Sequence, residues 1–137
     1  MIRQRLGKDL LFFDGGMGTL LQEKGLATGE LPETWNLTHS EEIYKIHRQY
    51  IEAGSDIILT NTFGANALKF HDDSCSLEEI IKAAVSHVKK AEREALLQTG
   101  DERKIYTALD VGPTGKLLKP MGDLEFETAY EAFKEVV

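Results

Sequence analysis

Apolar residues along this chain fall into two patterns, short unbroken runs and longer runs spaced three and four apart, with glycine and small polar residues at the joins. Unbroken runs occur at Leu11-Phe12-Phe13, at Ile57-Ile58-Leu59 and around Ile105. Consecutive rather than alternating apolar residues suit a parallel strand covered on both faces. The runs therefore predict strands ending at Phe13, near Asp56 to Thr60, and over about Lys104 to Leu109.

The spaced runs predict helices. Met17 to Lys24 reads as a short helix closed by Gly25, followed by a polar loop from Ala27 to Asn36. Ile43, Ile46, His47, Tyr50 and Ile51 recur at helical spacing up to Gly54, and Thr38 with Glu41 matches a capping box ahead of them. Ser76 and Glu79 repeat that box before a long stripe from Leu77 to Leu96, which stops near Gly100. A last helix begins near Leu124, with Phe126, Ala129, Tyr130, Phe133, Val136 and Val137 on its predicted buried side. Strand and helix alternate three times, so the fold class is α/β with a parallel sheet and right-handed crossovers. Three such strands do not close a barrel, and the apolar pattern is still running at Val137. Residues 1–137 are therefore expected to be the front part of a longer domain.

Each predicted strand runs into a small-residue loop: Asp14-Gly15-Gly16-Met17-Gly18-Thr19, Thr60-Asn61-Thr62-Phe63-Gly64, and Gly112-Pro113-Thr114-Gly115. Loops after the carboxyl ends of parallel strands share one face, where such folds bind ligands. Glycine lets backbone N–H groups approach an anion, and Asp14 can meet an ammonium group. The pair of charges suits an amino acid. The competing reading of Asp14 is a cap for the following helix.

With 137 residues, 42% of them hydrophobic and 28% charged, the composition is that of an ordinary globular domain. A net charge of -7 argues against nucleic acid or an anionic membrane as partner. No stretch of about 18 apolar residues is present, and the first residues lack the apolar core of a secretion signal, so the expected location is cytoplasmic. The single Cys75 forms no internal disulfide and, four residues from His71, has no third partner at a zinc spacing. His47, on an apolar stripe, reads as a hydrogen-bonded packing residue, and His39 and His87 as peripheral. Trp35 reads first as packing of the long loop across the ligand face, and second as a stacking surface.

Taken with Pro32-Glu33-Thr34-Trp35-Asn36-Leu37 and Ala53-Gly54-Ser55-Asp56 before the second run, these motifs resemble the homocysteine S-methyltransferase domain family. The nearest counterpart is the amino-terminal homocysteine-binding module of its cobalamin-dependent, methionine-forming members. The resemblance implies a (β/α)8 TIM barrel of which this chain holds the first three or so βα units. It also implies methyl transfer to the homocysteine thiol, with a zinc ion held by three cysteines beyond Val137. Cobalamin and methyltetrahydrofolate would act through other modules of the parent protein, and the isolated chain would be inactive. Carried over by position, Asp14, Gly15 and Gly16 hold the amino and carboxylate groups, Thr62 and Phe63 wall the site, and Asn61 braces the second loop against the first. Gly112 to Gly115 shape a third side. The alternative is a non-catalytic amino-acid-binding or assembly module that completes its barrel with another chain.

Overall fold

In a computed structural model, residues 2–71, 74–100 and 102–137 are described. The chain runs through helices α1 (Ile2–Arg5) and α2 (Met17–Glu23), a 3-10 turn (Pro32–Thr34), and helices α3 (Trp35–Thr38) and α4 (Ser40–Glu52). Strand β1 (Ile57–Leu59), helix α5 (Leu77–Thr99), strand β2 (Tyr106–Ala108) and helix α6 (Phe126–Val136) follow. The two strands pair in parallel, Ile57 opposite Tyr106 and Leu59 opposite Ala108. An α/β fold with a parallel sheet is thus present, its crossover carrying α5.

The first expected strand contracts to a single parallel bridge between Phe13 and Ile57. Its backbone still follows β1: the N–H groups of Asp56 and Ile57 both donate to Phe12 O at 2.8 and 3.0 Å, and Asp14 N–H donates to Ile57 O at 3.0 Å. Burial on both faces is not reached there. Phe12 and Phe13 are 60% and 59% exposed, because only the β1 side of this segment is packed.

Helices α4 and α5 lie against each other, with α4 also against β1 and α5 against β2. Tyr44, Ile51, Ile58, Val88, Ala91, Ala95 and Ile105 form the main core between them. A second cluster, Leu21, Trp35, Ile43 and Ile46, seats α2 and α3 on the other part of α4. The third, Ala65, Phe70 and Ile80, fastens the loop after β1 to the start of α5. Trp35 is therefore a core residue, 2% exposed, with its indole N–H donating to Glu30 at 2.7 Å.

The α5 capping box forms in full, with Ser76 Oγ accepting from Glu79 N–H and the Glu79 carboxylate reaching back to Ser76 N–H. Gly100 ends that helix at φ +65°, a left-handed conformation that suits glycine. The Thr38–Glu41 box does not form. Helix α4 starts later, at Ser40 with His39 preceding it, and the Thr38 hydroxyl donates instead to Thr34 O at 3.1 Å. The short α3 turn supplies that carbonyl within reach and captures the side chain.

Two other expectations change. On α6 the buried residues are Ala129, Ala132 and Val136, while Phe126, Tyr130 and Val137 face outward. The helix meets its neighbours through its small residues. His47 is fully buried, yet neither ring nitrogen has a hydrogen-bond partner, so it packs without being hydrogen bonded.

Candidate functional site: an acidic cavity beside the glycine turn

A cavity of about 320 Å³ opens where the turn after Phe13, the 3-10 segment, the loop after β1 and the residue after Leu109 come together. Asp14, Gly15, Gly16, Asn61 and Phe63 line it, as do Glu33, Lys69 and Asp110. The parallel pairing explains this meeting. Asp14 and Thr60 each follow a segment running in the same direction, so their loops emerge on one side of the sheet.

Asp14 is held by its own sheet. One carboxylate oxygen, Oδ2, accepts from Leu59 N–H at 3.1 Å. The other, Oδ1, is shielded from solvent and has no partner. Burial pushes the Asp14 carboxyl up to about 6 from the ordinary 3.8; the Leu59 and Asp14 N–H groups oppose the rise and the charge of Asp110 adds to it. No side-chain cap reaches α2, whose N-cap is Gly16, so Asp14 is not the helix cap of the competing reading.

The glycines have separate reasons. A Cβ at Gly15 would stand 2.7 Å from the Tyr50 hydroxyl oxygen, which itself donates to Gly16 O at 3.0 Å. Tyr50 thus presses the turn into place from α4. The Gly15 and Gly16 N–H groups meet no acceptor among the described residues.

Asn61 and Asn36 form a buried clasp: Asn36 Nδ2 donates to Asn61 O at 2.8 Å, and Asn61 Nδ2 donates to Pro32 O at 2.8 Å. From the far side, a ring nitrogen of His87 bonds Asn36 O at 2.7 Å, so α5 is tied into the same clasp. Phe63 is half exposed at the cavity wall, with Lys69 Nζ 5.4 Å from its ring centroid.

Thr62 lies behind the cavity rather than on its wall. Its hydroxyl donates to Asp110 O at 2.8 Å and bonds Thr60 Oγ1 at 2.7 Å. Of Gly112 to Gly115, none lines the cavity. Gly112 instead backs Phe63, and a Cβ there would fall 2.1 Å from the Phe63 carbonyl oxygen.

Sequence reasoning did not single out Glu33, Lys69 or Asp110. Glu33 is 3% exposed and accepts from Gly64 N–H at 2.5 Å, joining the 3-10 turn to the loop after β1. It stands inside the Pro32-Glu33-Thr34-Trp35-Asn36-Leu37 motif, but a charged residue in a polar loop gives no local sign of burial. Asp110, directly after the third apolar run, repeats the strand-then-carboxylate order seen at Asp14, a signal that was available. Burial raises its carboxyl above the ordinary value as well.

No group of three or more His, Cys, Asp or Glu side chains that could hold a metal ion stands among the described residues. Cys75 packs against the Ala65, Phe70 and Ile80 cluster. The described residues lining the cavity include no cysteine or histidine and do not make a zinc donor set.

The fold is α/β, with the cavity at the carboxyl end of its parallel sheet. Residues 11–137 match the homocysteine S-methyltransferase family model, and the chain belongs to that family. Methionine synthase of Mycobacterium leprae is 30% identical over 138 residues, covering 96% of this chain and 11% of that protein. The Mycobacterium tuberculosis methionine synthase is 31% identical over 136 residues, again across 11% of its length. The chain thus spans about a ninth of these relatives. It also shares its fold with the metallated form of the Escherichia coli homocysteine methyltransferase MmuM, at a TM-score of 0.71 and 24% identity over 83% of this chain and 42% of that one.

Proposed function

We propose that this chain supplies the amino-acid end of a homocysteine-binding site in a methyltransferase that forms methionine. The observation that carries the reading is a cavity lined by Asp14, whose Oδ1 has no partner, and by Gly15 and Gly16, whose amides are unclaimed by the described residues. In this reading the ammonium group sits on Asp14, the carboxylate on the Gly15 and Gly16 amides, and Phe63 bounds the thioalkyl chain. Asn61 braces the wall, and Thr62 acts from behind it.

The rest of the assignment comes from family membership. Residues 1–137 form the first part of a (β/α)8 barrel in a cytoplasmic protein. Zinc, held by three cysteines beyond Val137, activates the thiol, and methylcobalamin recharged by methyltetrahydrofolate on other modules donates the methyl group. This division leaves the isolated chain able to bind but not to catalyse.

Calorimetric titration with L-homocysteine tests the binding claim. Asp14→Asn is expected to weaken affinity tenfold to a hundredfold, because one charge-assisted hydrogen bond is worth about 1.5 to 3 kcal/mol. Equal affinity for both proteins would remove Asp14 from the site.

A further inference from the structure

Helix α5 reaches the cavity wall through a histidine. His87 stands three residues after Ala84 and four before Ala91, both fully buried, so it sits at the edge of the stripe that α5 packs inward. The sequence pattern leaves it peripheral. In the structure its ring is half-buried and turned to α3, where Nε2 bonds Asn36 O at 2.7 Å. A carbonyl oxygen can only accept, so Nε2 carries the proton and donates.

That carbonyl is open because a helix breaks beside it. A continuous α-helix would close Asn36 O with the N–H of Ser40, but His39, at φ −130° and ψ 41°, interrupts the ladder between α3 and α4. Among the described residues no backbone N–H donates to Asn36 O, and His87 fills the place. Asn36 is 1% exposed, too deep for solvent to substitute freely.

The side chain of the same residue faces the cavity loop. Asn36 Nδ2 donates to Asn61 O at 2.8 Å, and Asn61 Nδ2 donates to Pro32 O at 2.8 Å and to Asn36 Oδ1 at 3.4 Å. Pro32 and Asn61 line the cavity, as do Thr60 and Phe63 on either side of the asparagine loop. Helix α3 is only four residues long, and a single turn has little stability of its own. Its orientation therefore depends on ties to longer elements, and α5, with 23 residues, is one of them.

We propose that His87 is a positioning residue of the homocysteine site: by holding the Asn36 carbonyl, it orients the amide that fixes Asn61 and its loop on the cavity wall. The proposal rests on the homocysteine reading of the cavity and adds a residue outside the cavity on which ligand fit depends. The rival role is packing alone, with the ring filling space between α5 and α3. The two roles part on whether shape or the N–H donor matters.

The test compares His87→Leu, which fills similar space without a donor, with His87→Gln, whose side-chain amide carries an N–H near the Nε2 position. L-Homocysteine affinity is measured by calorimetry and stability by urea denaturation. His87→Leu is expected to bind about tenfold more weakly, the effect of one lost buried hydrogen bond, and His87→Gln within about threefold of wild type. Equal affinities for the two variants, whether both weakened or both intact, overturn the proposal and leave the homocysteine reading standing. Lower stability with unchanged affinity is the packing result and overturns it as well. Failure of the wild-type chain to bind homocysteine overturns both. Should His87→Leu not fold, NMR of the ring nitrogens in the wild-type chain decides the matter. An Nε2-protonated ring whose signal moves with the Asn61 side-chain amide on homocysteine saturation supports the proposal; an Nδ1-protonated ring, or a ring signal indifferent to homocysteine, overturns it.

Discussion

The side-chain amide of Asn36 donates to the backbone carbonyl of Asn61 across 2.8 Å, although the two residues lie 25 positions apart and both are almost wholly buried. That bond joins α3 to a cavity wall. Because His87 bonds the carbonyl of Asn36 itself, a helix, a turn and a cavity-lining loop meet in one small polar knot.

Replacing Asn36 by Leu is expected to strip Asn61 O of its partner and leave it buried. An unsatisfied buried acceptor costs about 1 to 3 kcal/mol. Chemical denaturation should show a loss of that order, and homocysteine affinity should fall with it as the Asn61 wall loosens. A variant with unchanged denaturation midpoint would mean that the clasp is dispensable.

Asp14 should act on stability in the direction opposite to its action on binding. Its folded value of about 6 lies above the ordinary 3.8, so between these values the folded chain holds more protons than the unfolded one. Its contribution therefore favours the fold at low pH and is lost as pH rises from about 4 through 6. Asp14→Asn is expected to be more stable than wild type at pH 7 and similar to it at pH 3.5, while binding homocysteine more weakly. Equal stability of the two proteins at pH 7 would contradict the burial of this carboxylate.

His47 carries the reverse dependence. Burial, with a smaller contribution from His87, lowers its pKa to about 4 from 6.5, and neither ring nitrogen is hydrogen bonded. The unfolded chain binds the proton more readily, so the stability linked to a neutral His47 is present above pH 6.5 and is lost as pH falls toward 4. The shift corresponds to roughly 3 kcal/mol across that window. His47→Leu, which removes both unsatisfied nitrogens, should retain more stability than wild type at pH 4.5. The difference between the two proteins should narrow at pH 7.5, as measured by thermal unfolding.

Gly112→Ala is expected to disturb the ligand face from a distance. The new Cβ would meet the Phe63 carbonyl oxygen at 2.1 Å, and backbone must move to admit it. Overpacking of this kind costs about 1 to 3 kcal/mol. Both a lower melting temperature and weaker homocysteine binding should follow, since Phe63 lines the cavity. By contrast, alanine at Gly18, where an added Cβ meets nothing within 4 Å, should leave the fold's stability nearly unchanged.

The sequence by itself determined the helix limits at Gly54 and Gly100, the Ser76–Glu79 cap, the buried run at Ile57-Ile58-Leu59 and the parallel α/β arrangement, because each depends on residues a few positions apart. It also singled out Asp14, Gly15 and Gly16, which line the cavity, through their place after an apolar run. Only the tertiary structure decided that the Thr38 hydroxyl turns to Thr34, that α6 packs through alanines, and that Phe12 and Phe13 remain exposed. It likewise set Thr62 behind the wall and brought Glu33, Lys69 and Asp110 into the cavity. Those outcomes turn on which atoms of distant segments come within hydrogen-bonding or van der Waals reach. Hydrophobic periodicity says which side of an element is buried, but not what it is buried against.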